Sequence, residues 1–359
     1  MSGKRKNGKP HNKKHEKKLR QRKRLPEISA NAGSQPDGNC AVSIRKVARK
    51  TFVAHGRALV SHLQGVRNGK DIEAIHQTRV ATRRLRAAFD IFGFCYDRTH
   101  TKLIKREVKQ VTGALGQARD LDVVLDFLVA YRDAAPSEEH EALDELVASK
   151  KKQRKALNTD LRRTVKAIRD RRIVKRLEHY ARTAQNGPAI KARKPEEIDL
   201  PSSDSPLPMF AFPLLMPRLE TVLSWLPEVR ATGEPHALHS MRIDAKGLRY
   251  AMEPFLPAFG EEYASLLGDV KRIQEILGDI HDFDVWAEMI KVFAECCRSE
   301  KEPLHKLVGH LQSRRAGRYV EFKAWWSPGA ELKFRRSFVN AIAPSKEEPT
   351  DTPVEGTGS

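Results

Sequence analysis

An all-α fold built as two equivalent helical bundles is predicted by three features of the sequence. Apolar residues recur at helical intervals along most of the chain, and strand signals are nearly absent. One stretch, Ile75 to Phe92, also returns without a gap as Leu238 to Phe255. Short turns between helical segments then favour antiparallel neighbours.

The repeat keeps its chemistry as well as its length. His76 recurs as His239, Arg79 as Arg242, Arg83 as Lys246, Leu85 as Leu248, Arg86 as Arg249 and Phe92 as Phe255. On a helix, His76, Arg79, Arg83 and Arg86 fall within an arc of about 80°, while Ala81, Leu85, Phe89 and Phe92 point to a separate apolar side. A solvated surface helix ordinarily sets acids three or four residues from its bases. The first copy has no acid between Glu73 and Asp90, so its cations repel one another uncompensated. Such a face, kept in register in both copies, points to a polyanion site.

The remaining elements follow in order. Residues 1–36 are rich in Lys and Arg and poor in apolar side chains, which predicts a disordered basic arm. Between Lys4 and Arg24, twelve cations stand against Glu16 alone, a local +11 out of the net +20. The remainder of the chain is thus cationic too and should attract polyanions. Val47, Phe52, Leu59, Leu63 and Val66 mark a first helix from Ala41 to Val66, and Asn68-Gly-Lys-Asp turns the chain into the cationic helix. Leu63-Gln-Gly-Val-Arg67 matches Leu226-Pro-Glu-Val-Arg230, so turn and helices were copied together. The cationic helix ends between Gly93 and Thr99, and a third helix covers Leu103 to Tyr131. Ala135-Pro-Ser137 breaks the chain before a long charged helix running toward Arg163. Leu143-Asp-Glu-Leu-Val147 returns as Leu304-His-Lys-Leu-Val308, which carries Arg154 onto Arg315. A first bundle over about 41–185, a Pro-rich connection over 186–208 and a second bundle over 209–343 are expected, followed by a disordered tail over 344–359.

The third helix carries Leu115-Gly-Gln-Ala-Arg-Asp-Leu-Asp-Val123, which recurs as Leu277-Gly-Asp-Ile-His-Asp-Phe-Asp-Val285. A repeated His-x-x-Arg-x-x-x-(Arg/Lys)-x-Leu-Arg helix, each followed by Leu-Gly-x-x-(Arg/His)-Asp-x-Asp-Val, resembles the CHAD family, the conserved histidine α-helical domain. The resemblance spans about Ala41 to about Asn340. It implies two four-helix bundles related by a pseudo-two-fold, with the cationic helices facing each other across a basic groove or pore over residues 37–343. It also implies a non-enzymatic domain that binds inorganic polyphosphate, expected in the cytoplasm at polyphosphate granules.

Arg79, Arg83 and Arg86 opposite Arg242, Lys246 and Arg249 would supply forked and point-charge donors along a row of phosphates. His76 and His239 fit phosphate contacts that become protonated when an anion arrives, with a structural hydrogen bond as the alternative. Lys109, Lys271, Arg119, His281, Arg154 and Arg315 are secondary binding candidates. Asp120, Asp122, Asp282 and Asp284 are read as carboxylates that orient the cations. His281-Asp282 imitates a metal phosphohydrolase dipeptide, but Arg119 stands in its place in the first half, which argues against a shared metal site. No cofactor is expected. Arg84, matched by Gly247, is expected to face solvent, and Trp225, Trp286, Trp325 and Trp326 to pack in the core.

Two rival readings remain. The basic arm could hold nucleic acid without specificity, although aromatic stacking residues are not interleaved with the basic face. A metal-dependent phosphohydrolase would use the four aspartates. Cys40, Cys95, Cys296 and Cys297 have neither C-x-x-C nor metal spacing and read as reduced packing residues of a cytosolic protein. No apolar run approaches the length of a membrane span, and the charged amino terminus lacks the apolar segment of a secretory signal.

Overall fold

In the computed structural model, which describes residues 43–69, 71–183, 201 and 205–343, the described residues form helices and turns with no strand. The basic arm, the tail and most of the Pro-rich connection lie outside the described residues. Helices α1 (Ile44–Ser61), α2 (Leu63–Asn68), α3 (Ile72–Phe92) and α4 (Arg98–Ala134) open the chain. They are followed by α5 (His140–Ala156), α6 (Asn158–Asp170) and α7 (Ile173–Arg182). The second half comprises α8 (Ala211–Leu223), α9 (Leu226–Thr232), α10 (Pro235–Met252), α11 (Glu261–Cys296), α12 (Glu302–Trp325) and α13 (Pro328–Ile342).

Two helices expected to be continuous are broken. The first stops at His62 (φ −107°, ψ 0°) and resumes at Leu63. The break left no mark on the apolar period, because Leu63 and Val66 still reach the core. The charged helix toward Arg163 likewise ends at Ala156 and restarts at Asn158, with Leu161 and Val165 keeping the buried face. The cationic helix α3 begins where expected, since Asp71 caps it by accepting from the Ala74 N–H at 2.9 Å.

The turns before α3 and α10 use the same device. Gly69 (φ 68°) and Gly233 (φ 62°) both end a short helix in the left-handed conformation. A side chain at either would also collide with a neighbour, since a Cβ on Gly233 would lie 2.6 Å from the Tyr319 ring and one on Gly69 2.6 Å from Asn158.

Packing joins the two halves. α3 and α10 touch directly, and so do α5 and α12. One apolar cluster runs from Ile44 through Leu85, Leu115, Leu248 and Leu277 to Ile342 and draws on both halves. A second cluster gathers the carboxyl-terminal parts of α4 and α11 with α5 and α12, where Phe127 stacks on Trp286 at 4.9 Å. Of the tryptophans, Trp326 is buried, while Trp225, Trp286 and Trp325 are half-buried against these clusters. Cys95 is buried and Cys296 exposed.

Replacing Gly233 by alanine should therefore cost about 1–2 kcal/mol for the left-handed backbone alone, plus the displacement of Tyr319. Urea denaturation should show a lower midpoint for G233A; an unchanged midpoint would mean the turn is not so constrained.

Candidate functional site

The cationic sides of α3 and α10 act on a common space. Lys246 on α10 is pushed down to about 6, first by burial and then by Arg242, Arg83 and Arg79, two of which belong to α3. Arg242 is lowered by burial and by Arg83, against the opposing pull of Asp282 and Asp120. Burial also lowers Arg83, with Arg79 and Arg249 adding to the effect. Three cations from the two helices, Arg83, Arg242 and Lys246, are thus held below their ordinary values, by burial first and by neighbouring positive charge second.

Carboxylates offset part of this charge, by matching contacts in the two halves. Arg79 Nη2 lies 3.1 Å from Asp120 and Arg242 Nη2 3.9 Å from Asp282. Asp120 is 70% exposed, so its attraction is screened by water. The motif glycine sits beneath each arginine, because a Cβ on Gly116 or Gly278 would touch Nε of Arg79 or Arg242 at 3.8 and 3.9 Å. Alanine would fit there, whereas a longer side chain would push the guanidinium aside.

The second aspartate of each motif does different work. Asp122, 4% exposed, accepts from Arg154 Nε at 2.7 Å, and Arg154 also donates to Asn158 Oδ1 at 2.8 Å and to the Gly69 carbonyl at 3.2 Å. Asp284 accepts from Arg315 Nε at 3.1 Å, and Arg315 Nη2 donates to the Gly233 carbonyl at 2.6 Å. Burial raises both carboxyls, against the pull of their arginines. Arg154 and Arg315, expected as secondary anion contacts, make these structural contacts in the free chain. Each ties the long helix and the one after it to the turn that aims the cationic helix.

The histidines are less alike than their positions suggest. His239 Nδ1 faces His281 Nδ1 at 3.1 Å, so the pair holds one proton between the facing nitrogens. Burial lowers both, His281 to about 4, with Arg242 and Lys246 adding to the shift. His76 is also lowered to about 4, by burial and then by Arg119, which stands where the second half has His281. All three imidazoles are neutral at neutral pH in the free chain. Among the described residues, no group of three or more His, Cys, Asp or Glu is placed to hold a metal ion.

Three participants escaped the sequence reading. Arg84, expected in solvent, instead pairs with Glu253 at 3.2 Å across the junction of the halves. Glu253 also lies 3.5 Å from Arg249, whose guanidinium sits over the Tyr250 ring at 4.4 Å. Glu253 is the match of Asp90 in the repeat, yet Asp90 pairs with Lys105, so the shared position carried no hint of the partner. Tyr250 matches Ala87 and had no repeat signal at all. Nε of Arg83, Arg86, Arg242 and Arg249 and the Tyr250 hydroxyl are buried without a hydrogen-bond partner. Lys109 and Lys271 are exposed on α4 and α11.

Fold and site define an α-helical protein whose cations converge from two repeated helices. The chain belongs to the CHAD domain family, whose model matches residues 51–291. Two solved structures share the fold. The crystal structure of the CHAD domain from the plant Ricinus communis is 19% identical, with a TM-score of 0.56, covering 85% of this chain and 97% of that one. PptA from Streptomyces chartreusis is 15% identical, with a TM-score of 0.52, covering 83% of this chain and 99% of that one. No curated protein matches the sequence. Among the described residues, no helix is long and apolar enough to cross a membrane.

Lys246 holds its proton more weakly in the folded chain, at about 6 against an ordinary 10.5. The unfolded chain therefore binds more protons between those values, and native stability falls as pH is lowered through that window. The stability advantage of Lys246→Met over the parent should grow from about pH 10 to about pH 6 and level off below. Urea denaturation across that range checks this, and a pH-independent difference would contradict it.

Proposed function

We propose that this protein is a non-enzymatic binder of inorganic polyphosphate. In this reading, bundles over about 41–185 and 209–343 are related by a pseudo-two-fold, and α3 and α10 face each other across a basic groove. The observation that carries it is the crowding of Arg79, Arg83, Arg242 and Lys246 across two helices, where burial and then neighbouring positive charge lower Arg83, Arg242 and Lys246. A row of phosphate oxygens would relieve that repulsion. Each hydrogen bond to a charged group contributes roughly 1.5–3 kcal/mol, so a handful suffices after ordering costs.

The direct contacts are assigned to Arg79, Arg83, Arg86, Arg242 and Lys246, with His76 and His239 beside them. Arg249, held by Glu253 and Tyr250, adds to the field. Arg119 and His281 flank the cluster, and Lys109 and Lys271 extend it along α4 and α11. Asp120 and Asp282 orient the arginines in the free chain and yield to phosphate. Family membership supports the choice of polyphosphate over other polyanions and a place at polyphosphate granules in the cytoplasm.

Calorimetric titration with long-chain polyphosphate should show submicromolar affinity that falls steeply with salt. Replacing Arg79, Arg83, Arg242 and Lys246 together by glutamine should weaken it at least about 100-fold, which corresponds to the loss of only two charged hydrogen bonds. Intact binding would remove the site assignment. Competition by duplex DNA at matched charge and salt, and phosphate release with magnesium or manganese, test the nucleic-acid and phosphohydrolase readings.

Binding should also take up protons, because an anion raises Lys246 and the histidines from their depressed values. Affinity should rise as pH is lowered from 8 toward about 6. Titrations in buffers of different ionisation enthalpy at about pH 7 should reveal the uptake, and none would mean these groups do not meet the anion.

A further inference from the structure

A concavity of about 660 Å³ lies between α5 and α11, away from the cationic cluster in its lining residues. Its α11 wall is the stripe Val285, Met289, Val292, Phe293 and Cys296. Val285 and Val292 are 49% and 54% exposed, two turns apart on the same side of the helix. The volume falls within the usual range of small-molecule sites, about 300–1,000 Å³. From Val285 to Cys296 the helix advances about 16 Å.

The opposite wall holds Lys150, a lysine that packing alone does not explain. Its side chain is only 7% exposed, burial lowers its ammonium, and no acid among the described residues pairs with it. The register that carries Leu143 onto Leu304 and Arg154 onto Arg315 carries Lys150 onto Leu311, which is fully buried. The fold thus accepts a plain aliphatic side chain at this position in its other half. A lysine instead places an ammonium where burial disfavours its charge, a cost that an anionic partner would offset. Glu288 on the groove rim is 71% exposed and lies 3.8 Å from Lys291.

We propose that this groove binds a single-chain amphiphile ending in a carboxylate, such as a free fatty acid. The alkyl chain lies along the Val285 to Cys296 stripe, and the carboxylate meets the Lys150 ammonium. An apolar helix from another protein or a second copy of this chain would bury the valines but leave the lysine unpaired. A polyphosphate would satisfy the lysine but lie against the apolar stripe of α11. A fatty carboxylate matches both parts of the surface. The proposal does not depend on the polyphosphate reading, since none of its residues belongs to that site.

The test is calorimetric titration of the full chain with dodecanoate, held below its micelle-forming concentration. Saturable one-to-one binding is expected, tightening about four-fold for each methylene added from octanoate upward. Lys150→Met, which approaches the leucine of the other half, should weaken dodecanoate at least ten-fold and leave the uncharged dodecanol unchanged. Val292→Asp, at an exposed position, should abolish binding of both while preserving the helical circular dichroism spectrum. Absence of saturable binding, equal loss of acid and alcohol in K150M, or unchanged binding in V292D would overturn the proposal. So would a concentration-dependent dimer of the ligand-free chain that V292D abolishes, because that would give the groove to a second copy.

Discussion

Mutual repulsion among Arg79, Arg83, Arg242 and Lys246 is the constraint around which the rest of the molecule is arranged. Apolar contacts press α3 and α10 together through Leu85, Leu248 and their neighbours in the shared core. The same contacts force like charges into a half-buried space, where water screens them less. The cost appears in the depressed protonation of Lys246, Arg83 and Arg242. A large hydrophobic core tolerates that cost.

The repeated Leu-Gly-x-x-(Arg/His)-Asp-x-Asp-Val motif is intelligible as the frame for this arrangement. Its leucine, Leu115 or Leu277, is fully buried and anchors the long helix. The glycine gives each arginine room, and the first aspartate steers it through a screened and weak contact. The second aspartate holds an arginine of the following helix, which in turn grips the carbonyl of the left-handed glycine before the cationic helix. The buried Asp122–Arg154 pair adds little net stability, but losing one partner is expensive. It therefore specifies where the turn before α3 sits, and that turn sets the direction of α3.

The halves are alike in this frame and unlike in detail. Arg119 stands beside His76, whereas His281 shares a proton with His239. Lys150 lines an open groove, whereas its counterpart Leu311 is sealed in the core. The common frame holds the two cationic helices, and the departures from it distinguish the halves.

Much of this was legible in the chain itself. Helical periodicity announced the all-α class, the matched positions announced both cationic helices, Asn68-Gly69 marked the turn before α3 and Ala135-Pro136 the one after α4. These features are local or repeated, and repetition shows up in sequence without knowledge of contacts. The breaks at His62 and Leu157 were hidden, since the apolar period runs through both. Pairings between distant residues were equally hidden. Whether Arg154 meets Asp122 or an anion, and whether Arg84 meets Glu253 or water, depends on which helices pack together and at what depth. Only the tertiary structure decided these, because an arginine's role is set by the nearest carboxylate and the local access of water, and neither is a property of neighbours along the chain.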